Sequence, residues 1–261
     1  MGIGDVLMSI GEAKVLHKQT KLPVMIVRAD GKPVLSDLFQ GVPYLLVPRT
    51  PRHIPMGPGR LYKRMVNGGG VRPYIEHKGV DRWTWKPYKP IPADIVFTRA
   101  ELAFAEPYRG AIMVEPNVKP NGHYNKAWNL VSWSQLDLML RGQRVVQCGL
   151  ETAHVRLRHA EFVRTDTFRQ ACAVLSVCKA FIGTEGGLHH AAAAVKTPGV
   201  VIYGAFISPA VTGYDLHRNL FTGSGLGCGW RVNCECCRKA MTAITPAMVM
   251  DNLKELLNAK V

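Results

Sequence analysis

Apolar positions along this chain follow one rhythm up to about residue 110 and another beyond it. Near the start, Val6, Leu7, Ile10 and Ala13 form a helical stripe, with Leu16 at its margin and Val15 off it, predicting a helix over 5–20. Asp5 stands just ahead as an N-cap. PVMIV (23–27) and YLLV (44–47) are expected as short buried strands. Residues 48–94 are rich in Pro, Gly, Arg and aromatics and weakly periodic, which predicts long loops with short elements. Such a length more often marks a functional surface than a plain connection.

From about residue 111 strands and helices alternate. AIMVEP predicts a strand, VSWSQLDLMLRG a helix, QRVVQCG a strand, and RTDTFRQACAVLSVC a helix with Thr165 or Asp166 near its cap. KAFIG predicts a strand, LHHAAAAVK a helix, GVVIYG a strand, and ITPAMVMDNLKELLNA a final amphipathic helix. That alternation implies a parallel sheet covered on both faces, so the fold class is α/β. The expected division is a small, irregular domain over 1–110 and a nucleotide-binding type of domain over 111–261.

Charge adds a partner. Lys and Arg number 33 against 19 Asp and Glu, a formal net of +14. Residues 41–90 hold Arg49, Arg52, Arg60, Lys63, Arg64, Arg72, Lys78, Arg82, Lys86 and Lys89, opposed only by Glu76 and Asp81. Tyr44, Tyr62, Tyr74, Trp83, Trp85 and Tyr88 fall in the same segment. Basic residues interleaved with aromatics suit a polyanion such as nucleic acid or a phosphorylated glycan; a solvated face with no partner is the alternative. MGIGDVLMSI lacks a basic secretory n-region, and no apolar run reaches the ~18 residues of a spanning helix. The expectation is a cytoplasmic chain, with peripheral contact to an anionic inner-membrane leaflet as the one membrane role left open.

Seven cysteines without a signal segment argue for free thiols or metal ligation over disulfides. Cys228, Cys234, Cys236 and Cys237 cluster in CGWRVNCECC, but not in paired CxxC spacing. Zinc on Cys228, Cys234 and Cys237 is the metal alternative, as a fold staple rather than a catalytic centre.

GTEGGLHHAAAAVKTPGVVIYG (183–204) places TEGG between a strand's carboxyl end and a small-residue helix. Open parallel sheets collect ligands at that edge, and the unpaired N–H groups of a first helical turn attract anions. A metal site would need further ligands, because His189 and His190 are expected to point to different sides of the helix. Plain turn chemistry remains the third possibility.

The same residues resemble a family. GTEGGLHHAAAA from Gly183 and PGVVIYG from Pro198 are similar to the signature of ADP-heptose:lipopolysaccharide heptosyltransferases, a loop of form Asp-Ser/Thr-Gly-Leu-x-His before an Ala-rich helix. Gly187, Leu188 and His190 match it; Glu185 replaces the acid and Gly186 the hydroxyl residue. NKAWNLVSW from Asn125 resembles the family's Lys-x-Trp-x-x-x-x-Trp stretch, GDVLMS from Gly4 its amino-terminal Gly-Asp loop, and ITPAMVMDNLKELL its closing helix. The cysteine cluster resembles a Cys-rich loop found before that helix in some members.

The resemblance implies two Rossmann-like domains facing a cleft, the GT-B-like arrangement, and inverting sugar transfer from a nucleotide-sugar co-substrate with no chelated metal or other cofactor required. It implies Asp5 as general base and Lys126 as the charge that meets the diphosphate leaving group. Glu185, Gly186, Gly187, Leu188 and His190 would contact the donor. Arg72, Tyr74, Trp83, Trp85 and Lys86 would meet an anionic acceptor, either an envelope glycan such as lipopolysaccharide or DNA bearing hydroxymethylated bases. Only four residues precede Asp5, so the family's usual first strand is expected to be absent or shortened. A non-catalytic nucleic-acid-binding protein on a degenerate GT-B fold is the alternative from another class.

Overall fold

The computed structural model describes residues 2–48, 62–67, 72–118, 124–150 and 153–259. Its first helix, α1 (Ile3–Thr20), buries the expected stripe and also Met8, Ser9 and Gly11. The helix starts two residues before Asp5, with Gly2 as N-cap. Asp5 therefore occupies the third helical position, not the cap, and reaches back to accept the Gly2 N–H at 3.0 Å. Lys21, left-handed at φ 59°, ends the helix.

β1 (Val24–Val27) pairs in parallel with β2 (Lys63–Val66). The strand expected at 44–47 shrinks to a single bridge, Leu45 to Val24. Pro43 and Pro48 flank it, and neither can donate to a ladder. β3 (Ile75–Lys78) and β4 (Trp83–Trp85) form an antiparallel hairpin. Arg49, Arg52 and Arg60 of the basic segment lie outside the described residues. Next comes α2 (Arg99–Ala105), capped by Thr98 and Glu101.

The remaining elements are β5 (Ile112–Glu115), α3 (Leu130–Met139), β6 (Val145–Gly149), β7 (Glu161–Arg164), α4 (Phe168–Val177), β8 (Ala180–Thr184) and α5 (Gly187–Ala194). They continue through β9 (Gly199–Gly204), the single turn α6 (Pro209–Thr212), β10 (His217–Phe221), α7 (Glu235–Ala243) and α8 (Pro246–Asn258). The cap of α4 is Thr167, not Thr165 or Asp166, because its hydroxyl accepts the Gln170 N–H while Gln170 answers the Thr167 N–H.

All six strands β5 to β10 pair in parallel, in the order β10-β9-β8-β5-β6-β7. Numbered from β5, this is the doubly wound order 3-2-1-4-5-6. Side chains alternate between the two faces. Ile112, Val114, Ile182, Val200 and Ile202 pack with α3 and α8, while Met113, Phe181, Val201 and Tyr203 face the other way. The second core is continuous with residues of α1, β1, α4 and α5 and with Trp85 of β4. The first hundred residues thus share a core with one face of the large sheet.

Candidate active site

Strand order reverses between β5 and β8, where Glu115 pairs with Gly183 at the carboxyl ends. Ligands bind outside such a switch point. A cleft of about 740 Å³ opens there, lined by Glu115, Lys126, Glu185 to Leu188, His190 and, from α1, Gly4 and Asp5. That volume is in the range of ligand pockets.

At the start of α5, Gly186 is an N-cap with no capping side chain. Among the first helical N–H groups, that of His190 finds the Gly186 carbonyl at 3.3 Å. Those before it lack an intrahelical acceptor, as in any helix start, and two of them, on Gly187 and Leu188, belong to residues lining the cleft. Gly186 has φ 171°, an extended backbone, and a Cβ there would meet only the Thr184 oxygen at 3.9 Å. Gly187 is tighter, with Ile3 Cγ2 at 3.3 Å from such a Cβ.

Glu185 is buried and takes the Lys126 ammonium, with His190 Nε2 at 3.7 Å. Burial opposes its ionisation, but the Lys126 charge and the neighbouring His190 ring outweigh that and hold the carboxyl well below the usual range. Lys126 also stands 5.1 Å from the centroid of Phe206. Its backbone is fixed on both sides. Trp128 and Trp133 pack edge to face at 4.9 Å, and Trp128 donates to the Ile244 carbonyl at 2.9 Å. Asn125 donates to the carbonyls of Trp230 at 2.7 Å and Val232 at 2.8 Å.

His189 and His190 do not diverge to separate environments; their ring centroids are 4.5 Å apart. α5 is buried on nearly every side, so both directions lead inward. His190 Nδ1 meets the Tyr214 hydroxyl at 2.9 Å and His189 Nε2 the Tyr203 hydroxyl at 3.2 Å. When Tyr214 donates, the His190 proton sits on Nε2, the nitrogen facing Glu185. Burial pushes His189 far down and His217, 5.5 Å from it, down to about 4, so both are neutral. Glu185, His189 and His190 bring ligand atoms within 4.8 Å of one another. The carboxylate is already neutralised by Lys126 and one nitrogen of each ring is taken by a tyrosine, a set that suits hydrogen bonding better than a cation.

Asp5 is clamped from the other part of the chain. Arg72 Nε is 2.6 Å from Oδ1 and Nη2 is 2.7 Å from Oδ2, and the Tyr74 hydroxyl donates to Oδ1. Burial raises the carboxyl's pKa, but the Arg72 hydrogen bonds and charge, Tyr74 and the Gly2 N–H leave it lowered. Tyr74 is raised well above its usual value by burial and the Asp5 charge, and stays a donor.

Residues 120–258 match the sequence profile described as glycosyltransferase family 9 (heptosyltransferase). The chain belongs to that family. No curated protein matches it. Among solved structures it is similar to E. coli ADP-heptose LPS heptosyltransferase II, at 21% identity and TM-score 0.49, over 67% of this chain and 56% of that one. It is similar to the iron-containing dodecameric glycosyltransferase TibC of enterotoxigenic E. coli, at 18% identity and TM-score 0.48, over 66% and 50%. The family 9 glycosyl transferase from Veillonella parvula follows at 13% and 0.49, over 66% and 55%. The chain spans about half the length of these structures.

Within this family 9 chain, the cleft gathers Asp5, Lys126, Glu185, Gly186, Gly187, Leu188 and His190 as the sequence suggested. Of the expected acceptor set, Arg72, Tyr74, Trp83 and Trp85 line the same cleft and Lys86 does not. Arg72 and Tyr74 turn inward onto Asp5. Trp85 is buried and donates to the Phe206 carbonyl at 3.0 Å, with Trp83 edge-on at 5.8 Å. Tyr74 and Trp85 therefore are not an exposed stacking surface; their rings gain more by packing on each other and on Phe206. Lys86 is exposed and does not line the cleft; Lys78, Arg82 and Lys89 are exposed too and lie off its lining. Cys228, Cys234 and Cys237 also lie off the cleft lining. Sequence singled out neither Glu115, Phe206 nor Tyr214. Glu115 carried a signal, as the acid ending the first strand of the sheet; Tyr214, 24 residues beyond its histidine, carried none.

Proposed function

We propose that this chain acts as an inverting glycosyltransferase that holds a nucleoside-diphosphate sugar in the cleft and passes the sugar to an acceptor hydroxyl. One observation carries it: a lysine, an uncapped helix start and an ionised aspartate converge on one cleft at the switch point of the sheet. The first-turn N–H groups of α5 would receive a phosphate. The Lys126 ammonium, shared between Glu185 and the diphosphate, would meet the charge that builds as the leaving group departs. His190 Nε2–H would add a donor. Asp5 would take the acceptor hydroxyl's proton as that oxygen attacks the anomeric carbon. Arg72 keeps Asp5 ionised and oriented, and an acceptor hydroxyl would compete with Tyr74 for Oδ1.

Lysine, imidazole and helix dipole together supply the positive field that a chelated cation gives elsewhere, which supports metal-free chemistry at the cleft. Residues 111–261 form the donor side in this proposal and 1–110 the acceptor side. The exposed Lys78, Arg82, Lys86 and Lys89 favour an anionic acceptor, a phosphorylated glycan first, given the family, and hydroxymethylated DNA second. No described helix is long and apolar enough to cross a membrane.

The test is release of nucleoside diphosphate from a panel of nucleotide sugars, ADP-heptose first, with phosphorylated glycans or modified DNA as acceptors and no added divalent ion. Turnover that vanishes in Asp5→Asn supports the proposal. A folded chain that binds DNA with strong salt dependence and turns over none of them would be the non-catalytic alternative.

A further inference from the structure

Between β10 and α7 the chain runs through an irregular loop over 222–234, then enters α7 at Cys234. Four sulfurs meet where loop and helix join. Cys228 Sγ is 3.2 Å from Cys237 Sγ and 3.9 Å from Cys234 Sγ, and Cys234 Sγ is 2.9 Å from Cys236 Sγ. All four lie within 4.8 Å of one another. A tetrahedral ion with metal–sulfur bonds of about 2.3 Å spaces its sulfurs at about 3.8 Å, inside this spread. Three of the four belong to the cap and first turn of α7, where the helix dipole favours thiolates. Four soft ligands with no carboxylate or imidazole select zinc or iron over magnesium or calcium.

The neighbours of this knot give it a task. Asn125, one residue before Lys126, donates to the carbonyls of Trp230 and Val232 and accepts the Cys234 N–H at 3.3 Å. On the other side, Arg82 Nε donates to the Cys228 carbonyl at 2.9 Å, and the Trp83 N–H to the Gly229 carbonyl at 2.9 Å. One loop therefore holds both the turn that presents Lys126 and the hairpin β3–β4.

We propose that Cys228, Cys234, Cys236 and Cys237 bind one structural zinc or iron ion, and that this ion fixes the 222–234 loop and, through Asn125, the position of Lys126. Cys236, absent from the ligand set expected from sequence, completes the four. The ion takes no part in the transfer chemistry. Its link to donor binding rests on the function proposed above; the site itself does not.

Elemental analysis of the whole chain, purified under reducing conditions without chelator, is the test. The expected result is one zinc or iron per chain, lost in Cys228→Ser and in Cys236→Ser but kept in Cys178→Ala, whose thiol lies elsewhere. Cys236 is exposed, so its serine variant keeps the test alive if Cys228→Ser fails to fold. A metal-free folded wild type, with four titratable thiols or with disulfides among them, overturns the site. Hydrogen exchange on wild type before and after stripping the ion then reads the positioning. Loss of amide protection at 124–128 and 82–86 supports it, and unchanged protection there overturns it. A metal-loaded chain that binds no nucleotide sugar would sink the donor proposal and leave the ion in place.

Discussion

Lys126 and Glu185 are the most consequential pair in the cleft, because each is costly without the other. Lys126→Ala leaves a buried carboxylate unpaired and should cost about 3 kcal/mol of stability by chemical denaturation. Adding Glu185→Gln should restore most of that stability but none of the nucleotide affinity, a cycle that separates structural from ligand-binding loss. Asp5→Asn should lower turnover by about a hundredfold to ten-thousandfold with little change in donor affinity, read from steady-state kinetics. Gly186→Ser should fold as well as wild type, since the backbone is extended and the space open, and its hydroxyl should tighten nucleotide binding in calorimetry. Motif spacing exposed these residues in the sequence. Their partners were hidden because Arg72 and Tyr74 reach Asp5 from 67 and 69 residues away, a separation that no local pattern encodes.

Among the elements, α1 and α5 depend on close approach. A Cβ at Gly4 would stand 2.7 Å from His190 Cδ2, and one at Gly11 only 2.0 Å from the Ile91 carbonyl oxygen. Gly11→Ala must move backbone and should cost about 1–3 kcal/mol, checked by urea midpoint. Gly4→Ala should instead displace the His190 ring and weaken donor binding more than stability. Long periodic segments were legible: α1, α4, α8 and the apolar strands β5, β6, β8 and β9 lie where their patterns put them. β7 and β10 were not, since only one residue of each is fully buried and neither shows an apolar run. Proline neighbours cut the expected 44–47 strand to a bridge.

For the whole molecule, the α/β class and parallel sheet followed from alternation, whereas the shared core of α1 and the large sheet did not, because composition cannot show which faces meet. Among the described residues of the basic, aromatic segment, Lys78, Arg82, Lys86 and Lys89 are exposed, Arg72 turns inward onto Asp5, and Tyr44, Tyr74 and Trp85 are buried in the core. A pH dependence arises at the switch point. Burial pushes Glu115 from 4.5 up to about 7 against the hydrogen bond from the Asn117 N–H. Between those values the folded state holds a proton that the unfolded chain has lost. This contribution to stability is complete below about pH 4.5 and lost as pH rises through about 7. Glu115→Gln should flatten that slope in melting curves across the range. Nucleotide affinity should fall over the same interval in wild type as a negative charge appears in the cleft, and not in the variant.

Lys126 and the start of α5 are expected to hold a nucleoside-diphosphate sugar in the cleft. Calorimetric titration with ADP-, UDP- and GDP-sugars, on wild type and on Lys126→Ala with Glu185→Gln, reads this binding. Saturable binding of one nucleotide class to wild type, lost in the folded double variant, is the predicted result. Equal binding to both proteins, or none to a folded wild type, would contradict it.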